Sequence, residues 1–237
     1  MMQFENRVII LTGVGREGQV GETVAAAFAA AGARIVAVDR DAVEVEARAE
    51  ALRRAGADAR AFACDLTDEI QVEKVSREIA GSYGERANAL VNMAGGFAMT
   101  GRVADSDPNA WRKQFDINLT TAYVATRAFL PLVRATRGAI VYFASAAVLP
   151  GGKFANMAAY AAAKSGVLAL MRAVADEERE NGVRANAIAP TAVRTSANLD
   201  SMGSSVRYVE REQVADTVVY LCSDAASAVT GQVFQLE

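Results

Sequence analysis

Apolar residues along this chain follow two alternating rhythms. Short runs rich in β-branched residues, beginning with Arg7-Val-Ile-Ile-Leu-Thr12, are bounded by glycines or polar turns and read as strands buried on both faces. The pattern predicts strands at 7–12, 34–39, 59–63, 88–92, 139–143, 183–188 and 233–236. Between them, longer stretches predict helices from about Gly18–Gly21 to Ala31, then over 42–54, 68–81, most of 108–134, 157–181 and 213–222. Such alternation implies an α/β fold, a parallel sheet with helices on both faces. Right-handed crossovers make it doubly wound, with a ligand crevice at the carboxyl ends of the strands. No linker, low-complexity segment or repeat interrupts residues 1–237, so one domain is expected.

The turn after the first strand adds chemistry to this outline. In Thr12-Gly-Val-Gly-Arg-Glu-Gly-Gln-Val-Gly21, the spacing Gly13-x-Gly15-x-x-Gly18 is a dinucleotide fingerprint. Glycines there let the backbone turn tightly and approach a pyrophosphate at a helix N-terminus. The spacing alone is weak, but it follows a strand, opens a helix, and has Asp39 about 20 residues on at the tip of the second strand. A carboxylate at that tip can accept both adenosine ribose hydroxyls and repels a 2′-phosphate, which points to NAD. Arg16 and Arg40 stand nearby and could receive that phosphate, so NADP stays open. These features make the expected fold a Rossmann-like three-layer sandwich.

Composition narrows the chemistry further. A 52% apolar, 22% charged chain of net charge −3 is globular, and it has no basic block or basic–aromatic stretch that would bind nucleic acid. No run of 18 apolar residues and no apolar leader stretch occurs, so neither a membrane span nor a secretory signal is expected, and the expected location is cytoplasmic. Cys64 and Cys222 have no metal-ligand spacing, and no metal is expected. The chain contains no histidine. That excludes Ser-His-Asp hydrolysis, His-paired cysteine catalysis and the usual His-bearing zinc sites. Acid–base work near neutral pH must fall to Tyr, Lys, Cys or a shifted carboxylate.

One pair suits that role. In Tyr160-Ala-Ala-Ala-Lys164 the alanines favour helix, which places both side chains on one face a turn apart. A free phenol titrates near ~10, and a fixed positive charge beside it favours the phenolate. Taken alone, the pair reads first as an ordinary amphipathic helix with a packed Tyr and a solvated Lys, since short motifs often match by accident.

Its company decides otherwise. The Thr12-Gly13 turn, Cys64-Asp65-Leu66-Thr67, Asn92-Met93-Ala94-Gly95, Asn118, Ser145, Tyr160-x-x-x-Lys164 and Asn186-Ala-Ile-Ala-Pro190 with Thr195 stand in one order. In this the chain resembles the short-chain dehydrogenase/reductase family, from Arg7 to about Phe234. The resemblance implies an NAD(P)-dependent oxidoreductase interconverting a secondary alcohol and a ketone. Its implied catalytic residues are Asn118, Ser145, Tyr160 and Lys164. Asn118 would bend its helix and hold a water relaying protons to Lys164, and Ser145 would hydrogen-bond the substrate oxygen. Tyr160 would pass the proton, while Lys164 would hold the nicotinamide ribose and lower the tyrosine pKa. On the cofactor, Asp65 with Leu66 would meet the adenine, and Asn92, Ala94 and Gly95 would line the adenosine side. Pro190, Val193 and Thr195 would fix the nicotinamide face.

The chain departs from the family pattern in places. The glycine-rich turn and the Ser145–Tyr160 interval each carry about two extra residues, the latter in Pro150–Asn156. The lid after Thr195 is short and poor in large apolar residues, which predicts a mobile segment and an open site. The final strand lacks the usual Asp-Gly-Gly. Substrate loops are expected at about 94–106, 146–157 and 191–208, with Phe97, Met99, Val148, Leu149, Phe154 and Met157 bordering the pocket. Two rival readings stand beside an alcohol dehydrogenase: a 3-oxoacyl-thioester reductase using NADPH, and a catalytically silent dinucleotide-binding scaffold. Surplus Ala, Leu and Val on the helices of 107–134 and 157–181 predict association, and the resemblance implies a homodimer or homotetramer paired through these helices.

Overall fold

The computed structural model describes residues 3–237. Strands β1 (Val8–Thr12), β2 (Arg34–Asp39), β3 (Ala59–Ala63), β4 (Ala89–Asn92), β5 (Ala139–Phe143), β6 (Arg184–Pro190) and β7 (Val233–Leu236) form one sheet in the order β3-β2-β1-β4-β5-β6-β7. Every neighbouring pair is parallel. The order reverses between β1 and β4, and that is where a crevice opens in a doubly wound sheet.

Period-two alternation sends each strand's side chains to both layers. Val8, Ile10, Val36, Leu90, Ile140 and Tyr142 pack beneath α3 (Glu69–Tyr83), α5 (Thr121–Arg134) and α6 (Ala158–Glu177). Ile9, Leu11, Ile35, Val91 and Val141 pack beneath α1 (Val20–Ala30), α2 (Ala42–Arg54) and α8 (Arg211–Cys222). The central strand β1 is buried along its whole length, which explains its unbroken apolar run.

Local signals set the helix starts. Asp41 and Asp68 accept bonds from the free N–H groups of α2 and α3. Asp107 does the same for α4 (Pro108–Phe115), whose first residue is the proline favoured there. All seven strands and the main helices stand where the periodicity predicts, with ends shifted by a few residues; α6 stops at Glu177, not Asn181.

Two features differ from expectation. Residues Asp116–Thr120, between α4 and α5, form a π-helical turn. The segment after Thr195 is not bare loop: Ser196–Met202 form α7, started by the Thr195 hydroxyl accepting from the Asn198 N–H. None of its residues is buried, but Tyr208 behind it is, with its hydroxyl donating to the carbonyls of Asn198 and Gly203. Those bonds give the lid the anchorage that its composition did not suggest. No described helix is long and apolar enough to cross a membrane.

Candidate active site

At the reversal point, β1 and β4 are stitched by one buried hydroxyl. Thr12 Oγ1 donates to the Val91 carbonyl and accepts from the N–H groups of Met93 and Ala94. Directly after it, Gly13 has φ +75°, and a Cβ there would lie 2.7 Å from the Ala94 nitrogen. Both the conformation and the close approach require glycine.

The other glycines divide unequally. Gly15 is buried, and its N–H donates to Asp39 Oδ2 at 2.9 Å, while the Arg40 N–H donates to Oδ1. Gly18 has φ +70° and faces Ser196 of α7, whose N–H donates to its carbonyl. Its own N–H is taken by Glu22, which also pairs with Arg48 and Arg211. Gly21 is the residue that lets α1 rise against the turn, because a Cβ there would sit 2.4 Å from the Gly13 carbonyl oxygen. Gly21 lies outside the 13-15-18 fingerprint and carries no role in it; its place at the predicted start of the helix is the available clue. Gln19, at the N-cap of α1, makes no side-chain capping bond. The helix start therefore keeps free N–H donors for an anion. Glycine cradle, free helix start and ribose-side carboxylate together fit a dinucleotide. Arg16 and Arg40 are both exposed at this edge.

The residues expected along the adenosine side are more divided. Asp65 is exposed, and Oδ1 is bound by the N–H and hydroxyl of Thr67; neighbouring Leu66 is buried. Asn92 turns into the helix layer and donates to Thr126, which in turn bonds the Tyr142 hydroxyl. Its buried Oδ1 has no partner among the described residues. Ala94 and Gly95 do border the crevice, touching the Gly13 and Lys164 sides respectively.

Across the crevice stand the four groups expected to act. Ser145 follows β5, and its hydroxyl accepts from the Ala147 N–H. Tyr160 and Lys164 lie one turn apart on α6, with the Lys164 ammonium 5.9 Å from the tyrosine ring centre. Lys164 is buried, and its Nζ donates to the Phe143 carbonyl at 2.7 Å, at the end of β5. Burial lowers its pKa to about 8, since a dry site disfavours charge. Asn118 sits in the π-turn and grips one residue by both its backbone groups: Oδ1 accepts from the Gly96 N–H and Nδ2 donates to the Gly96 carbonyl. Nδ2 also donates to the Gln114 carbonyl. Gly95 lies between Asn118 and Lys164, and a Cβ there would come within 2.8 Å of Asn118 Oδ1 and 3.4 Å of Lys164 Nζ.

One electrostatic expectation is reversed. Burial pushes the Tyr160 phenol above its ordinary value, and hydrogen bonding with Ser145 offsets this only in part. The lysine, itself buried and turned to a carbonyl, does not outweigh that burial. The phenol is therefore protonated at neutral pH. The Asn118 Nδ2 is likewise spent on the Gly96 and Gln114 carbonyls, so a relay water could not accept from it.

On the nicotinamide side, Pro190 ends β6 beside Leu236. Val193 is buried and bridges Val209, and the Thr195 hydroxyl is used to cap α7.

Comparison with known proteins agrees with this geometry. The family model described as Enoyl-(Acyl carrier protein) reductase matches residues 13–237. The 2-(S)-hydroxypropyl-CoM dehydrogenase 3 of Xanthobacter autotrophicus is 32% identical over 99% of this chain and 96% of its own length. This chain belongs to the short-chain dehydrogenase/reductase family. The meso-2,3-butanediol dehydrogenase of Serratia marcescens is 32% identical, covering 97% of this chain and 92% of that protein. The structure of an NAD+-bound xylitol dehydrogenase superposes with a TM-score of 0.89 at 25% identity, over 98% of both chains. The chain is thus an oxidoreductase of CH–OH groups using NAD(H) or NADP(H).

Proposed function

We propose that this short-chain dehydrogenase/reductase interconverts a secondary alcohol and its ketone with NAD, using Tyr160 as the proton donor and acceptor. The observation that carries this reading is the convergence of Ser145, Tyr160, Lys164 and Asn118 on one side of a glycine-walled crevice. The nicotinamide, when bound, supplies or takes the hydride. In ketone reduction, the protonated phenol of Tyr160 gives its proton to the oxygen that gains charge. The Ser145 hydroxyl orients that oxygen and stabilises the developing alkoxide. Lys164, charged below pH about 8, sets the local potential and can hold a ribose hydroxyl. Asn118 fixes Gly96, and through it the wall of the crevice. In the oxidation direction, Tyr160 must first lose its proton, so that direction gains from rising pH.

Preference for NAD rests on Asp39. Both its oxygens accept backbone bonds that fix the carboxylate beside Gly15, leaving lone pairs for two ribose hydroxyls and a negative charge that repels a 2′-phosphate. Gly13, Gly15, Gly18 and the start of α1 would cradle the pyrophosphate. We assign substrate contact to the loops 94–106, 146–157 and 191–208 within a single domain. Pairing through α4 and α5, which expose Trp111 and Tyr123, supports a homodimer or homotetramer; composition alone supports a cytoplasmic location.

The test is direct. Purified protein should change absorbance at the nicotinamide band with an alcohol or ketone from a mixed panel, with NADH preferred over NADPH, and Tyr160→Phe should abolish the change. Tight cofactor binding with no turnover across the panel would favour the silent scaffold instead.

A further inference from the structure

We propose that Phe97 positions Tyr160 and sets the substrate class, making the pocket selective for a secondary alcohol or ketone with a bulky apolar substituent over a polyol. This rests on the oxidoreductase reading above and extends it to the choice of substrate.

Phe97 stands edge-to-face on Tyr160, ring centres 5.0 Å apart and planes at 88°, the arrangement that aromatic quadrupoles favour. Its placement is imposed from behind. Asn118 binds both the N–H and the carbonyl of Gly96, so the residue that follows cannot drift from the tyrosine. Yet Phe97 remains 55% exposed. One part of the ring confines the catalytic phenol while the rest stays free to meet a ligand.

The surroundings share that character. Among the described residues, five of the ten exposed large apolar side chains are Phe97, Met99, Val103, Phe154 and Met202. They fall on the segments 94–106 and 146–157 and at the end of α7; the other five are scattered over α2, α3, α4, α5 and α8. The first two segments are tied together, because the Thr100 N–H donates to the Asn156 carbonyl at 2.8 Å. Apolar surface concentrated at the mouth of a polar reaction centre marks a ligand groove. A hydroxyl-rich chain laid there would lose water without regaining hydrogen bonds from these side chains. An aryl or branched alkyl arm loses nothing comparable.

The experiment compares 1-phenylethanone with dihydroxyacetone, using NADH, in the parent, Phe97→Ala and Phe97→Leu. The parent should show kcat/KM at least about tenfold higher for the aryl ketone, and Phe97→Ala should cut that ratio about tenfold or more, mostly on the aryl side. Phe97→Leu should keep most of the ratio. A second readout needs neither cofactor nor turnover: phenolate absorbance titrations, with Tyr160→Phe subtracted, report the Tyr160 midpoint. That midpoint should fall in Phe97→Ala as water reaches the phenol. An unmoved midpoint overturns the positioning role. Equal losses on both ketones, or a parent that favours dihydroxyacetone, overturn the substrate class. A parent inert to both ketones while binding NADH overturns the substrate class and leaves the cofactor reading standing; absence of NADH binding removes that reading as well.

Discussion

The two banks of the crevice are built on opposite plans. On the β1–α1–β2 bank, function rests on backbone: glycines that bring peptide groups close, a helix start with free N–H groups, and one carboxylate held by two of those peptides. On the β5–α6 bank it rests on side chains withdrawn from water, with Lys164 and Asn118 buried and Tyr160 walled by Phe97. In the proposed function, the first bank would bind a charged, polar ligand because it is open, and the second would move a proton because burial shifts its pKa values. Substitutions should therefore act differently on the two sides, through added volume on one and through lost chemistry on the other.

The sharpest way to break the contrast is Tyr160→Phe, which keeps the ring and its contact with Phe97 and removes only the hydroxyl. Turnover should fall by about 10²–10⁴-fold, with cofactor affinity measured by fluorescence titration little changed. A variant retaining most of its activity would end the proton-donor assignment. Next in size comes Gly21→Ala on the backbone bank. Its methyl would meet the Gly13 carbonyl oxygen at 2.4 Å, a contact that only a shift of α1 relieves. Thermal unfolding should move down by several degrees, for a cost of about 1–3 kcal/mol, and NADH should bind more weakly. Unchanged melting would show that the cradle is less tight than described.

Asp39→Ala should have a smaller and more selective effect. Losing a charged acceptor is worth about 1.5–3 kcal/mol, so the ratio of NADH to NADPH use should fall about tenfold or more while kcat with the better cofactor holds. A ratio that stays put would remove the carboxylate argument. The smallest effect expected is on stability against pH. Lys164 titrates at about 8 in the folded chain against an ordinary 10.5. Between those values the unfolded chain holds a proton that the folded one has released, so stability contributed by this residue rises as pH rises through that window. Urea midpoints of the parent relative to Lys164→Met should increase from about pH 8 to about pH 9.5; a flat or falling difference would contradict the burial account.

Much of this was legible in the residues, and the reasons differ between the banks. β1 declares itself because a strand covered on both faces must be apolar throughout, and Asp39 because the first strand–helix–strand unit fixes its distance from the glycines. The Tyr160–Lys164 pair was readable because alanines force the helix that aligns it. What stayed hidden was which polar group would claim which partner. Nothing in Asp116-Ile-Asn-Leu-Thr120 announces that the Asn118 amide is consumed by Gly96, or that Asn92 turns to Thr126 rather than to the crevice. The direction of the Tyr160 shift stayed hidden for the same cause: the neighbouring lysine is visible in the sequence, its burial against the Phe143 carbonyl is not. Nor could a serine-rich lid reveal Tyr208 anchoring it from outside the helix.

The π-turn between α4 and α5 has a consequence for how this wall of the protein can change. Each α-helical residue advances the helix by about 100°, so within a regular helix an added or missing residue is an angular offset for all that follows. Five residues in the wider turn cover about the same angle as four in an α-helical one, so Asp116–Thr120 take up an extra residue without rotating α5, and Val124, Phe129 and Val133 stay buried. Removing one residue from 116–120 would let α4 and α5 merge into a regular rod with α5 still turned to the sheet. What would be lost is the irregular coil from which Asn118 reaches Gly96.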